Sequence, residues 1–202
     1  ASDISQHILD EAKRIHSFSN LKFLQCDVEN YDFEPHFFDV VISRFGVMFF
    51  EHPLKAFTNI HRSMKKGGRL NLLVWKTFDE NLWMKVPASA AFKILERPEP
   101  PKEGEPGPFS LCDSDAFGEM LSAAGFDDIT FVSNKLNLNL GSLNEAVQLM
   151  TQLGPAAKPY GEAPSDLQKQ ARESMEAVLS QHESASGVLL PSAFWLVRAT
   201  AL

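Results

Sequence analysis

The hydrophobic positions of this chain change period along its length. Val40, Val41 and Ile42 run without a polar break behind Phe38 and Asp39. Such a run predicts a strand covered on both faces, and strands of that kind belong to parallel sheets wrapped by helices. Upstream, Ile8, Leu9, Ala12 and Ile15 recur at helical spacing behind Ser5, a residue suited to a helix N-cap. Residues 21–26 read as a short strand. Downstream, Leu54, Phe57, Ile60 and Met64 form a helical stripe that begins at Pro53. Lys65 and Lys66 then fall in the last turn, Gly67 and Gly68 end the helix, and residues 69–75 return as a strand. Strand, helix, Gly-Gly and strand make a right-handed parallel crossover.

Residues 78–112 interrupt that alternation. Residues 81–96 suit one helix interrupted by Pro87, and residues 97–108 are rich in proline, glycine and glutamate. Because this segment follows a strand's carboxyl end, it reads as a lid or insert, with Trp83, Met84 and Phe92 turned towards a ligand. The alternative is a surface excursion packed on itself. Residues 114–124 form a helix closed by Gly125, and residues 129–140 a strand whose leucines alternate with asparagines. Two further helices, 142–153 and 164–182, fill a helical insert at 141–187. Residues 189–199 close the chain as an antiparallel edge strand. The expectation is one α/β domain over residues 1–202, with helices on both faces of a mostly parallel sheet.

Composition narrows the partners. With 44% hydrophobic and 22% charged residues in 202, the chain has the balance of a globular domain with a full core. Its formal charge of −7 argues against broad contact with nucleic acid or anionic lipid. No run is apolar enough to span a membrane and no signal peptide opens the chain, so a cytoplasmic location is expected. Cys26 and Cys112 provide neither a disulfide framework nor metal-ligand spacing. Sixteen Phe against two Tyr suggest a large apolar interior or an apolar ligand pocket, core being the safer reading.

In open parallel sheets ligands bind outside the carboxyl ends of the strands. Asp3, Asp27 and the trio Ser43, Arg44 and Phe45 all fall at such ends. A carboxylate at Asp3 accepts from both hydroxyls of a ribose, and one at Asp27 accepts from an adenine amino group. The competing readings are a solvated terminal residue for Asp3 and an ordinary turn aspartate for Asp27.

The run Ser43-Arg44-Phe45-Gly46-Val47-Met48-Phe49-Phe50-Glu51-His52-Pro53, with Ala56-Phe57 and Lys66-Gly67-Gly68-Arg69-Leu70, resembles class I S-adenosylmethionine-dependent methyltransferases. Among these it is most similar to the small-molecule enzymes of ubiquinone and menaquinone biosynthesis. Asn81-Leu82-Trp83-Met84, Pro106-Gly107-Pro108-Phe109, Ala123-Ala124-Gly125-Phe126 and Leu190-Pro191-Ser192-Ala193 extend the likeness over nearly the whole chain. The resemblance implies a Rossmann-like sheet and S-adenosylmethionine as cofactor. It assigns Asp3 to the cofactor ribose, Ile4 to the face of the adenine, and Asp27 and the Val28 backbone to the adenine edge. Ser43, Arg44 and Phe45 fall beside the methionine moiety. The family's glycine-rich loop lies on the first strand, roughly 20 residues before the ribose carboxylate. It therefore falls upstream of residue 1, and about 50 residues including that first strand are expected there.

Methyl transfer from a sulfonium needs alignment of acceptor and methyl in a dry pocket, and a hydroxyl acceptor also needs a base. His52 is the nearest candidate base, against the plainer reading that it opens a helix before Pro53. Phe49, Trp75, Trp83 and Phe92 favour a hydrophobic or aromatic small-molecule acceptor. The remaining histidines make no metal spacing, and a homodimer stays open as a partner. Two rival classes stand beside this reading. A nicotinamide-dependent oxidoreductase shares the sheet and the ribose carboxylate, but neither Tyr31 nor Tyr160 is followed by a lysine at helical spacing. A non-catalytic fragment or interaction domain is the second rival, with residues 141–187 as its arm.

Overall fold

The computed structural model describes residues 1–16, 18–102 and 104–202. In chain order its elements are β1 (Ser2–Asp3), α1 (Gln6–Ile15), β2 (Leu24–Gln25), β3 (Phe38–Arg44), α2 (Pro53–Ser63) and β4 (Met64–Trp75). There follow α3 (Leu82–Ala91), α4 (Ser114–Ala123), β5 (Phe126–Asn139), α5 (Leu143–Gln152), α6 (Ala157–Glu162), α7 (Ser165–Leu179), β6 (Glu183–Ser184) and β7 (Gly187–Ala201). Short 3-10 turns lie at Val47–Phe49, Phe78–Glu80 and Ser180–His182. β1 and β2 pair in parallel, Asp3 opposite Gln25. The remaining strands follow the order β3-β4-β7-β5, with β6 antiparallel on β7. The mixed sheet has the α/β character of a Rossmann-like fold, but the C-terminal strand expected at its edge lies inside it: β7 stands between β4 and β5, with the short antiparallel β6 beside it.

The chain divides into two compact units. The first comprises Ala1–Leu72, Ser114–Phe131 and Val197–Leu202. Its core is aromatic: Phe57 of α2 and Phe117 of α4 are fully buried with ring centroids 5.4 Å apart, and Phe131 stands edge-on to Phe117 at 5.8 Å. Each such ring contributes about 1.5–3 kcal/mol by leaving water. His61 of α2 lies edge-on to Phe126 at 5.1 Å, and its buried Nε2 has no partner among the described residues. Gly125 closes α4 with φ +102°, and a Cβ there would stand 3.0–3.1 Å from the His61 ring.

The second unit comprises Leu73–Asp113 and Val132–Leu196, and so takes in both segments expected as inserts, 78–112 and 141–187. α3, α5 and α7 pack together around Met84, Ala91, Val147, Met150, Met175 and Leu179. Ser142 and Glu145 start α5 with a reciprocal capping box, satisfying two otherwise orphaned N–H groups. Pro87 sits inside α3 without ending it. α6 is an element the hydrophobic pattern did not announce.

Three expectations are corrected. β3 is covered on one face only, for Val40 is 42% and Ile42 77% exposed. Among the described residues nothing packs closely enough over that face of β3 to bury these side chains. In α1 only Leu9 is buried, while Ile8 and Ile15 remain exposed. Finally, α2 ends at Ser63, so Lys65 to Gly68 already belong to β4. Lys65 there meets Asp39 of β3 at 2.9 Å instead of capping a helix. Gly68 is required by close approach, since a Cβ would stand 2.8 Å from the Lys65 carbonyl oxygen.

Candidate functional site

The first unit presents three strand ends carrying the expected side chains. Asp3 ends β1, and its Oδ1 accepts the Ser5 N–H at 2.8 Å, fixing the turn into α1. Ser5 Oγ accepts from Ile8 N–H as the helix N-cap. Ile4, between them, is 69% exposed, an aliphatic surface left open beside a half-buried carboxylate. The Cys26 N–H donates to the Asp3 carbonyl at 3.1 Å, so the turn after β2 begins beside the turn after β1.

Asp27 organises that second turn. Its Oδ1 accepts the Glu29 N–H at 2.9 Å and its Oδ2 the Asn30 side-chain amide, while its carbonyl accepts the N–H groups of Asn30 and Tyr31. Asp27 thus performs the local capping of an ordinary turn aspartate. Among the described residues the Val28 N–H has no protein partner. Cys26 just before it is buried, and burial pushes its thiol up from the usual cysteine range, a hydrogen bond to Ser2 acting the other way.

At the third end, Ser43 is half-buried, Arg44 exposed, and Phe45 adopts φ +60°. Only His36 and Asp128 share that feature among the described non-glycine residues. A left-handed backbone costs an aromatic residue roughly 1–2 kcal/mol, and such strain concentrates at functional positions. The following 3-10 turn buries Val47 and Met48 and leaves Phe49 56% exposed. His52 occupies the N-cap of α2 with no side-chain cap, and its side chain is exposed. Its backbone N–H and that of Glu51 donate to Glu29 Oε1 at 3.0 and 2.6 Å. The helix-entry reading of His52 accounts for this geometry.

In the second unit Trp75 ends β4, with Trp83 of α3 at 5.3 Å and Phe194 of β7 at 6.3 Å from its ring. Trp83 and Met84 lie inside the core, 6% and 3% exposed, and Phe92 packs against that core beneath the Arg97 guanidinium. Asn81, fully buried, ties this region together. Its Nδ2 donates to the carbonyls of Lys76, Thr77 and Ala193, and its Oδ1 accepts from Ala193 N–H and Trp83 Nε1–H. Lys76 Nζ lies 4.4 Å over the Trp195 ring and 2.8 Å from Glu80, whose carboxyl is held below the usual range chiefly by that lysine. Burial raises the Cys112 thiol. Among the described residues no group of three or more His, Cys, Asp or Glu is placed to hold a metal ion.

Glu29, Asn59 and the hub role of Asn81 were not singled out as functional residues by the sequence reading. Glu29 reaches partners 22 and 23 residues away, Asn59 partners 28 and 31 residues away, and Asn81 a partner 112 residues away. No local spacing announces such bonds.

The fold is similar to that of solved methyltransferase structures. Residues 1–72 match the family model described as Methyltransferase domain. Malonyl-[acyl-carrier protein] O-methyltransferase of Paenibacillus sp. is 27% identical over 126 residues, 61% of this chain and 43% of that protein. Ubiquinone/menaquinone biosynthesis C-methyltransferase UbiE of Stutzerimonas stutzeri is 33% identical over 76 residues, 38% of this chain and 30% of its own. The chain therefore spans less than half the length of these relatives. Among solved structures, a putative methyltransferase of Bacillus halodurans superposes with TM-score 0.56 at 14% identity, over 100% of this chain and 81% of that one. Phosphoethanolamine N-methyltransferase 2 of Haemonchus contortus, solved with S-adenosyl-L-methionine, gives 0.52 at 18% identity over 98% and 42%. The nicotinamide-dependent alternative is not favoured by these likenesses. No helix among the described residues is long and apolar enough to cross a membrane.

Proposed function

We propose that the protein transfers a methyl group from S-adenosylmethionine to a small hydrophobic or aromatic acceptor. The observation that carries this reading is the order of Asp3, Asp27 and Ser43-Arg44-Phe45 at three successive strand ends, all within the matched segment 1–72. Asp3 takes the ribose hydroxyls with the lone pairs its turn leaves over, and Ile4 covers the purine. The Val28 N–H reads the adenine edge beside Asp27. Ser43, Arg44 and Phe45 flank the methionine moiety, with the Phe45 backbone held in its unusual conformation. A glycine-rich strand and loop upstream of Asp3 complete the cofactor cradle in this reading.

The cofactor supplies an already activated methyl group, so the protein's part is alignment and exclusion of water. Phe49, 56% exposed after the third strand end, is assigned to the acceptor side as apolar surface, whereas Trp83 is taken up in the core of the second unit. His52 stays a candidate base by position alone, since only its backbone N–H is engaged and its side chain is exposed. A cytoplasmic location belongs to this reading.

Calorimetric titration of S-adenosylhomocysteine into the protein, with the intact mass measured on the same sample, tests the proposal. Saturable binding in the micromolar range is the expected result. Absence of binding by a chain heavier than these 202 residues would count directly against it.

A further inference from the structure

The turn after β2 is held to α2 by polar ties rather than by packing. Asn59 Nδ2 donates to two carbonyls of the turn, Val28 at 2.8 Å and Tyr31 at 2.7 Å, while its Oδ1 accepts from Arg62 at 3.1 Å. Arg62 in turn meets Asp32 at 2.8 Å, and Lys55 donates to the Asn30 side chain. From the other side Glu29, 9% exposed, accepts from the backbone N–H groups of Glu51 and His52 at the entry to α2. Between turn and helix lies a hollow of about 400 Å³ lined by Glu29, Tyr31, Lys55, Thr58, Asn59 and Arg62 among others. Apolar contact does not fill that space, so these bonds set the orientation of the turn.

The consequence falls on one amide. The N–H groups of Glu29, Asn30 and Tyr31 all bond back to Asp27, whereas that of Val28 has no protein partner among the described residues. The peptide unit that carries the Val28 N–H is held at its Asp27 carbonyl by the Asn30 and Tyr31 N–H groups. The unit after it is held at the Val28 carbonyl by Asn59 and at the Glu29 N–H by Asp27. We infer that Glu29 and Asn59 are positioning residues that aim the Val28 N–H, and thereby make the site selective for a purine whose edge offers an acceptor there. This rests on the methyltransferase reading proposed above. A site built to match one hydrogen-bonding edge rejects an isostere with the pattern inverted, because its own donor is then left unpaired.

The test compares two probes, S-adenosylhomocysteine and its deaminated hypoxanthine analogue, whose ring carries a donor where adenine carries an acceptor. Wild type is expected to prefer the adenine form by at least about tenfold. In Asn59→Ala and Glu29→Ala that preference falls towards unity, with loss of the adenine form and little change for the analogue. Loss of fold or of general packing would weaken both probes alike, and that outcome overturns the inference. Should either variant fail to fold, Asn59→Asp, which keeps one acceptor but removes the donor, and Glu29→Gln, which keeps the acceptor oxygen, serve in its place. Amide hydrogen exchange on the unliganded variants gives a second readout. Faster exchange confined to residues 28–32 supports the latch, and unchanged exchange overturns it. Wild-type protein that binds neither probe removes the parent reading and this inference together. Wild-type selectivity that survives both substitutions removes only the inference.

Discussion

Replacing Asn81 is the most informative perturbation of the second unit. The side chain is fully buried and all five of its hydrogen bonds stay within that unit. Asn81→Ala leaves two buried donors, Ala193 N–H and Trp83 Nε1–H, without their acceptor, whereas the Ala193 carbonyl keeps the Lys76 N–H at 3.0 Å. At about 1–3 kcal/mol for each stranded donor, the loss comes to about 2–6 kcal/mol. That is a large share of the roughly 5–15 kcal/mol by which a domain is stable. Asn81→Asp is more discriminating. It keeps the acceptor but turns an oxygen towards three carbonyls now contacted at 3.0–3.3 Å. The new carboxyl therefore has a folded-state pKa raised above its unfolded value near 3.9. Its neutral form is tolerated below that value. Destabilisation then grows with pH by about 1.4 kcal/mol per unit until the folded pKa is reached. Urea denaturation of wild type and both variants at pH 5 and pH 8, followed by tryptophan fluorescence, measures this directly. A pH-independent difference for Asn81→Asp, or an Asn81→Ala within about 0.5 kcal/mol of wild type, would refute the hub.

Two smaller predictions concern other sites. Gly125→Ala forces a residue with a Cβ into φ +102° and against the His61 ring at 3.0–3.1 Å, so thermal denaturation should show a loss of about 1–3 kcal/mol. A further His61→Ala change should recover part of that loss, and its failure to do so would assign the effect to backbone strain alone. Burial raises both thiols, so Cys26 and Cys112 are protonated at pH 8 and should react slowly with a disulfide reagent. Denaturant should release two fast thiols, and fast native reaction of Cys26 would contradict its burial.

The elements that followed from the sequence were those whose signal is local. The Ser5 cap, the α2 stripe of Phe57 and Ile60, and the Gly125 stop of α4 all depend on neighbours within a turn or two. Exposure of Ile42 and Val40 was not legible, because a β-branched run looks the same whether one face of its strand is covered or both. Gly67-Gly68 was taken for a helix stop when it lies inside β4, since φ +77° at Gly67 suits a bend in a strand as well as a cap. The strand-end residues Asp3, Asp27 and Phe45 could be named in advance because fold and resemblance both point to carboxyl ends. The partners that orient them could not. Glu29 and Asn59 act across more than 20 residues, and such pairings exist only once the chain has folded.

β7 is the last strand in the chain, yet it lies between β4 and β5 in the sheet order. During synthesis from the N-terminus, β4 and β5 cannot reach their final neighbours until residues 187–201 have emerged. Residues 197–202 also belong to the first unit, so the segment that matches the methyltransferase family waits on the far end of the chain. Until then the backbone groups along the β7-facing edge of β4 lack their strand partner. Closure is late and long-range, which predicts slow folding and a nascent chain dependent on chaperones. It also makes truncation near residue 187 far more damaging than the number of residues removed would suggest.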